Sequence, residues 1–307
     1  MSKGITNLPA SVLARLKNLA RDRGRLFNEV LTYYVLERFL YRLSRSAHRD
    51  RFVLKGALVM LTWPSAPARA TRDIDFRASA PADLDGMAEV FREVCRQDVE
   101  ADGVEFDPQL LRTEMIVEQA RFPGVKVKLE GRIGKARVPF EVEVGSVDPI
   151  NPAPQTVDYP QLLSFPRPRL AVYPKETIVA EKLEAMVKLG ELNSRMKDYF
   201  DLRFMSKTFS FEGPILAHAI AGTFDNRGTE FPSSIPNGLR PEFAEKKASE
   251  WAAFLRRVRN EDPSLTDFNE VLRELREFLG PPLLKAAAHG DELSSVWSSA
   301  EGWHPFA

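Results

Sequence analysis

The sequence predicts an α+β protein, with helices at both ends and a strand-rich module between them. Three observations predict it: helical apolar spacing over residues 10–45, short β-rich runs between about 52 and 144, and a return to helical spacing from about Lys175. The expected domains are N-terminal helices packing on the core (1–50), the core itself (51–168) and a helical C-terminal domain (169–307). With 307 residues, 44% of them hydrophobic, the chain can bury one large core or two ordinary ones.

The first helix carries Val12, Leu13, Leu16, Leu19 and Ala20 on one face and stops at Gly24, and a second spans Phe27 to Leu43. Strands are expected at Phe52–Leu54, Asp73–Phe76, Val125–Ile133 and Val138–Val144, with a helix over Leu84–Arg96. Gly131 to Ala136 reads as a hairpin turn that would make the last two strands antiparallel. The Pro-rich passage from Pro149 to Pro168 reads as a connector, and the tail after His289 has little pattern.

Composition narrows the chemistry. The only cysteine, Cys95, sits in an apolar helical neighbourhood and is expected as a buried free thiol. His48, His218, His289 and His304 are too scattered for a zinc site, so any metal is expected on carboxylates, which suit a hard cation. The start lacks the apolar core of a signal peptide and no segment is long enough to span a bilayer, so a cytoplasmic protein without a membrane partner is expected. Residues 1–55 hold 12 Lys/Arg against 4 Asp/Glu, while 82–118 hold 11 Asp/Glu against 3 Lys/Arg. A polyanion such as RNA could meet the basic end.

Asp73 and Asp75 stand two apart in a short strand, and therefore on one face. Two adjacent carboxylates stay ionised at neutral pH only with positive charge between them, and a divalent cation supplies it most economically. Ion pairing with Arg69, Arg72 or Arg77 is the structural alternative. Upstream, Lys55-Gly56-Ala57 joins a strand to a helical run, a place where phosphate can approach backbone N–H groups. Glu141 and Glu143 share a face of a later strand, and one of them could complete a three-carboxylate cluster able to hold two magnesium ions. Lys182 interrupts the apolar stripe of Ile178, Val179, Leu183, Met186 and Val187, which demands an anionic partner, either a phosphate or an acid. Asp198 and Asp201 lie three apart on the next helix, Asn193 to Met205, with Arg195 a turn earlier, where mutual salt bridging is the plain account.

The segments ERFLYRLSRSAHRDRFVLKGAL, RATRDIDF, VEVGSVDP and YPKETIVAEKLEAMVKLGELNSRMKDYFDL resemble the nucleotidyltransferase AbiEii/AbiGii toxin family, from about residue 10 to 205 in order and spacing. The resemblance implies a polymerase-β-like nucleotidyltransferase core with a mixed sheet, followed by a helical domain. It further implies the toxin of a type IV toxin–antitoxin or abortive-infection system, using an NTP with magnesium or manganese. The implied acceptor is RNA, with the tRNA 3′ end expected, and the implied protein partner is a cognate antitoxin, expected to be a winged-helix repressor.

By position the resemblance puts Asp73, Asp75 and Glu143 at the metal, and Lys55, Gly56, Ala57 and Arg72 at the nucleotide. Lys182 would contact the triphosphate, Asp198 or Asp201 would be a further catalytic acid, and the hydroxyl of Thr71 would be a site of control by phosphorylation. Two residues depart from the family pattern: Ala57 stands where serine usually follows the glycine, and Glu143 where many relatives have aspartate. Two other readings use the same residues, transfer to a protein hydroxyl and a non-catalytic module that binds a partner.

Overall fold

The computed structural model describes residues 7–64, 71–80, 83–116, 124–145, 150–288 and 294–306. They form two compact units, one of residues 1–147 with 155–172 and one of residues 148–154 with 173–307.

In the first unit Asn7 caps α1 (Leu8–Asp22) by accepting the Ala10 N–H, and Gly24, at φ +61°, lets the chain turn into α2 (Phe27–Arg45). There follow β1 (Phe52–Lys55), the single-turn α3 (Ala57–Met60), β2 (Asp73–Ala78) and α4 (Leu84–Arg96), capped by Asp83. Then come β3 (Glu105–Phe106), β4 (Arg112–Ile116), β5 (Gly124–Ile133), β6 (Ala136–Gly145), β7 (Gln155–Asp158) and β8 (Arg169–Val172). They make one mixed sheet of order β3-β5-β6-β2-β1-β8-β7, with β4 also on β5. The pairs β2·β6 and β1·β8 are parallel and the others antiparallel.

Several expectations shift here. The hairpin turn is only Gly134–Lys135, since Ile133 already pairs with Ala136, and Gly131 lies inside β5. That glycine is required by packing, because a Cβ on it would overlap Val35 of α2 and stand 3.0 Å from Phe106. The Gly131→Ala variant is expected to lose about 1–3 kcal/mol by overpacking, read as earlier thermal melting; an unchanged melt would mean that α2 does not rest on β5 there. The connector also contains β7, and β8 carries the first unit to residue 172 rather than 168 because it pairs with β1 and β7.

Helix α2 is buried nearly all round, as a central helix must be, with Tyr34, Leu36, Phe39, Leu40 and Leu43 in the core and the helix packed on α1, α4, β6 and β8. Phe39 meets Phe140 edge-on at 5.2 Å and stacks with Phe91 at 6.0 Å. Burial also reaches its arginines. Arg42 forks onto Asp102 at 2.8 and 3.2 Å, and Arg38 pairs with Glu37 and donates to the Pro166 carbonyl. The basic N-terminal surface is therefore smaller than the charge count suggests, and among the described residues its exposed members are Lys17, Arg21, Arg23, Arg45 and Arg49.

The second unit contains α5 (Lys175–Leu189), α6 (Met196–Thr208), β9 (Phe211–Glu212), α7 (Gly213–Arg227), α8 (Pro241–Val258), α9 (Phe268–Ala287), β10 (Ser295–Ser298) and β11 (Gly302–Pro305). Its core stacks Trp251 on Phe268 at 4.6 Å and Tyr199 on Phe243 at 5.6 Å. The part of the unpatterned tail from Ser294 onward holds the hairpin β10–β11, which joins β9 in a small sheet, while 289–293 lie outside the described residues. Among the described residues no helix is long and apolar enough to cross a membrane.

Candidate active site

Strand β2 alternates strictly: Ile74 and Phe76 are wholly buried, while Asp73 is exposed and Asp75 half-buried on the opposite face. Parallel pairing with β6 sets Asp73 beside Glu141 and Asp75 beside Glu143, so four carboxylates share one patch of sheet. On the other side of β2, β1 brings Lys55 into register with Asp75. The Lys55 ammonium reaches toward β6, where a Cβ on Gly145 would lie 3.5 Å from its Nζ.

Gly56 follows immediately, at φ 70° and ψ −152°, a region essentially restricted to glycine. A Cβ there would overlap the Asp75 carboxylate, whose Cγ would be only 2.9 Å away. The turn thus lies directly on Asp75. Because α3 is one turn long, any grip on phosphate rests on the N–H groups of the turn rather than on a helix dipole. Ala57 begins α3, and Arg72 is exposed just before β2. Half-exposed Thr71 accepts the Asp73 N–H through its hydroxyl at 3.3 Å. Arg69 lies outside the described residues.

Sequence reasoning missed Lys126. Its Nζ stands 2.9 Å from Glu141 and 3.0 Å from Glu143, and hydrogen bonds to these two carboxylates hold the ammonium well above the ordinary lysine range. Counting back along the hairpin from its two-residue turn would have found it, since Lys126 lies opposite Glu143. Among the described residues no three His, Cys, Asp or Glu converge as a metal cluster, and Glu143 is engaged with Lys126.

Lys182, Asp198 and Asp201 come together in the second unit. The Lys182 Nζ bridges Asp198 at 2.6 Å and Asp201 at 2.8 Å, and Asp198 also takes the Arg195 Nε at 2.6 Å. Against the opposing effect of burial, the two carboxylates raise the lysine pKa, while Lys182 and Arg195 lower that of Asp198. The anionic partner demanded by a lysine on an apolar stripe is a pair of aspartates. Cys95 is buried, which pushes its thiol up to about 12, as an inert core cysteine requires.

A family profile described as "Nucleotidyl transferase AbiEii toxin, Type IV TA system" matches residues 38–274. The chain belongs to the AbiEii toxin family. As an AbiEii protein it is a nucleotidyltransferase of the type IV toxin–antitoxin kind, an enzyme rather than a non-catalytic binding module, and the family implies an NTP substrate and an antitoxin partner. The fold is similar to that of MenT4, a nucleotidyltransferase toxin from Mycobacterium tuberculosis H37Rv, over 90% of this chain and 99% of the other, with 20% identity and a TM-score of 0.53. JHP933 from Helicobacter pylori is similar over 82% of this chain and 89% of its own, with 14% identity and a TM-score of 0.43. No curated protein matches the sequence.

Nucleotidyltransferases generally use divalent metals, and the donor chemistry of this AbiEii chain suits a hard cation. Asp73, Asp75, Glu141 and Glu143 offer only oxygen, on one face and on adjacent strands, and Glu143 already attracts a cationic group.

Proposed function

We propose that the protein transfers a nucleotidyl group from an NTP to the 3′ hydroxyl of an RNA, with tRNA as the acceptor, the new bond from the 3′ oxygen to the α-phosphorus replacing the one to pyrophosphate, which leaves. The observation that carries this reading is the Gly56 turn resting on Asp75, with Asp73 on the same face, inside the span of the family match. Asp73 and Asp75 hold the metal, with Glu143 as the third donor. When bound, the metal screens the phosphate charges and lowers the pKa of the attacking hydroxyl.

The N–H groups around Gly56 and the Lys55 ammonium cradle the phosphates, fixing the α-phosphorus for in-line attack. Exposed Arg72, just before β2, meets the same nucleotide. Exposed Lys17, Arg21, Arg23, Arg45 and Arg49 supply positive charge for an RNA backbone. Lys182, Asp198 and Asp201 form a second candidate centre. Two of the three N–H donors of the Lys182 ammonium go to the aspartates, so a phosphate oxygen would take the third.

The test is to incubate the protein with magnesium, each α-labelled NTP in turn and total tRNA, beside an Asp73→Ala, Asp75→Ala control. Label on tRNA that disappears in the control is the expected result, and the labelled NTP identifies the nucleotide. Label on protein instead of RNA would replace the acceptor, and label that persists in the control would remove the carboxylates from the chemistry.

A further inference from the structure

The sheet face around Asp75 carries a row of charged side chains in which two acids are neighbours. Reading across the strands in register, Lys55 on β1 is followed by Asp75 on β2, Glu143 on β6, Lys126 on β5 and Glu114 on β4. Glu143 is thus the middle member, with an acid on one side and a cation on the other. Its carboxylate is turned toward the cation, 3.0 Å from the Lys126 Nζ, and Glu141 holds the same ammonium at 2.9 Å. All three side chains remain partly open to solvent, so the pairing can break and re-form at modest cost.

Released from Glu143, Lys126 would still have Glu141, and Glu114 lies opposite it on β4. Glu114 is itself shared, since it accepts Lys128 at 2.8 Å. The glutamate arm at position 143 has one methylene more than aspartate, a length that favours exchange between the two sides.

On the reading of Asp73 and Asp75 as the metal-holding pair, we infer that Lys126 is a resident cation on Glu143 which the incoming divalent metal has to displace. Lys126 is then a positioning residue. It keeps the carboxylate patch neutralised and Glu143 withheld, and by competing for that carboxylate it sets the free metal concentration at which the site fills. Removing its charge leaves Glu141 and Glu143 unmatched and free to face the metal, so affinity rises.

The experiment is direct Mn2+ binding, followed by the loss of the free-ion paramagnetic resonance signal, in the full chain without nucleotide. The wild type is compared with Lys126→Met, Lys126→Arg, Lys126→Met with Glu143→Gln, and Asp75→Asn. Lys126→Met is expected to bind Mn2+ at least about fivefold more tightly, from the removal of one positive charge near a doubly charged ion in largely aqueous surroundings. Lys126→Arg, which keeps the charge, should stay near the wild type, and adding Glu143→Gln should cancel most of the gain. Thermal melting without metal checks that each variant is folded.

Asp75→Asn abolishing Mn2+ binding while Lys126→Met leaves it unchanged or weaker would overturn the inference and keep the metal pair. Mn2+ binding that ignores Asp75→Asn would overturn both.

Discussion

Replacing Lys182 with methionine is expected to cost about 3–5 kcal/mol of stability, the range for breaking a buried ion pair by removing one partner. For a unit of this size that lowers the melting temperature by about 10 °C. Methionine keeps most of the stem that packs among the apolar neighbours of α5, so the loss isolates the charge. Asp198 and Asp201 are 1% and 0% exposed, while the lysine side chain keeps 12% of its surface. Without the ammonium, Asp198 retains Arg195, but Asp201 loses the cation 2.8 Å away.

Adding Asp201→Asn to Lys182→Met removes the charge that the ammonium matched and should recover much of the stability without restoring nucleotidyl transfer. Such a split would separate the structural part of the cluster from any chemistry it performs. Calorimetry is the measurement. A Lys182→Met protein that melts with the wild type would show that the bridge does not hold α5 to α6, and a double variant with restored activity would remove Lys182 and Asp201 from the reaction.

Local signals carried the sequence reading a long way, and non-local pairing marked its limit. Helix α4 was legible to the residue, because Asp83 caps it and Met87, Val90, Phe91 and Val94 recur on one face. Lys182 was legible as an anomaly, since a charge in an apolar stripe advertises a missing partner; that both aspartates answer it is a matter of helix packing. Strands β3, β4, β7 and β8 were not legible. They are two to five residues long and lie in or near segments that read as an acidic stretch or a proline-rich connector. That Glu141 or Glu143 could join Asp73 and Asp75 was read from the sequence, but the register that sets Asp75 beside Glu143 was not, because β2 and β6 are parallel and distant in sequence and nothing local fixes their pairing. The charge count of the N-terminal helices misled for a related reason. It could not show that Arg38 and Arg42 face inward, where Glu37 and Asp102 meet them.

Gly56→Ala is expected to lower the rate of nucleotidyl transfer by at least about a hundredfold, the penalty for moving a reacting group by roughly 1 Å. Two strains add at this position. The backbone sits at φ 70° and ψ −152°, which costs a non-glycine residue of the order of 1–3 kcal/mol. The new methyl group would also overlap the Asp75 carboxylate, and Phe76 and Ile74 fix that strand from behind, so the carboxylate rather than the strand must move. The displaced group is the proposed metal ligand nearest the turn, and the displaced backbone carries the N–H groups that would face phosphate.

The signature is therefore a modest fall in melting temperature with a large fall in rate and weaker Mn2+ binding. Combining Gly56→Ala with Asp75→Asn distinguishes this from general damage. If the turn acts through Asp75, the double variant is scarcely slower than Asp75→Asn alone, as expected for residues that work as a unit. Rates that multiply would mean that the turn contributes independently through its N–H groups, and a Gly56→Ala enzyme with the wild-type rate would remove the turn from the active site.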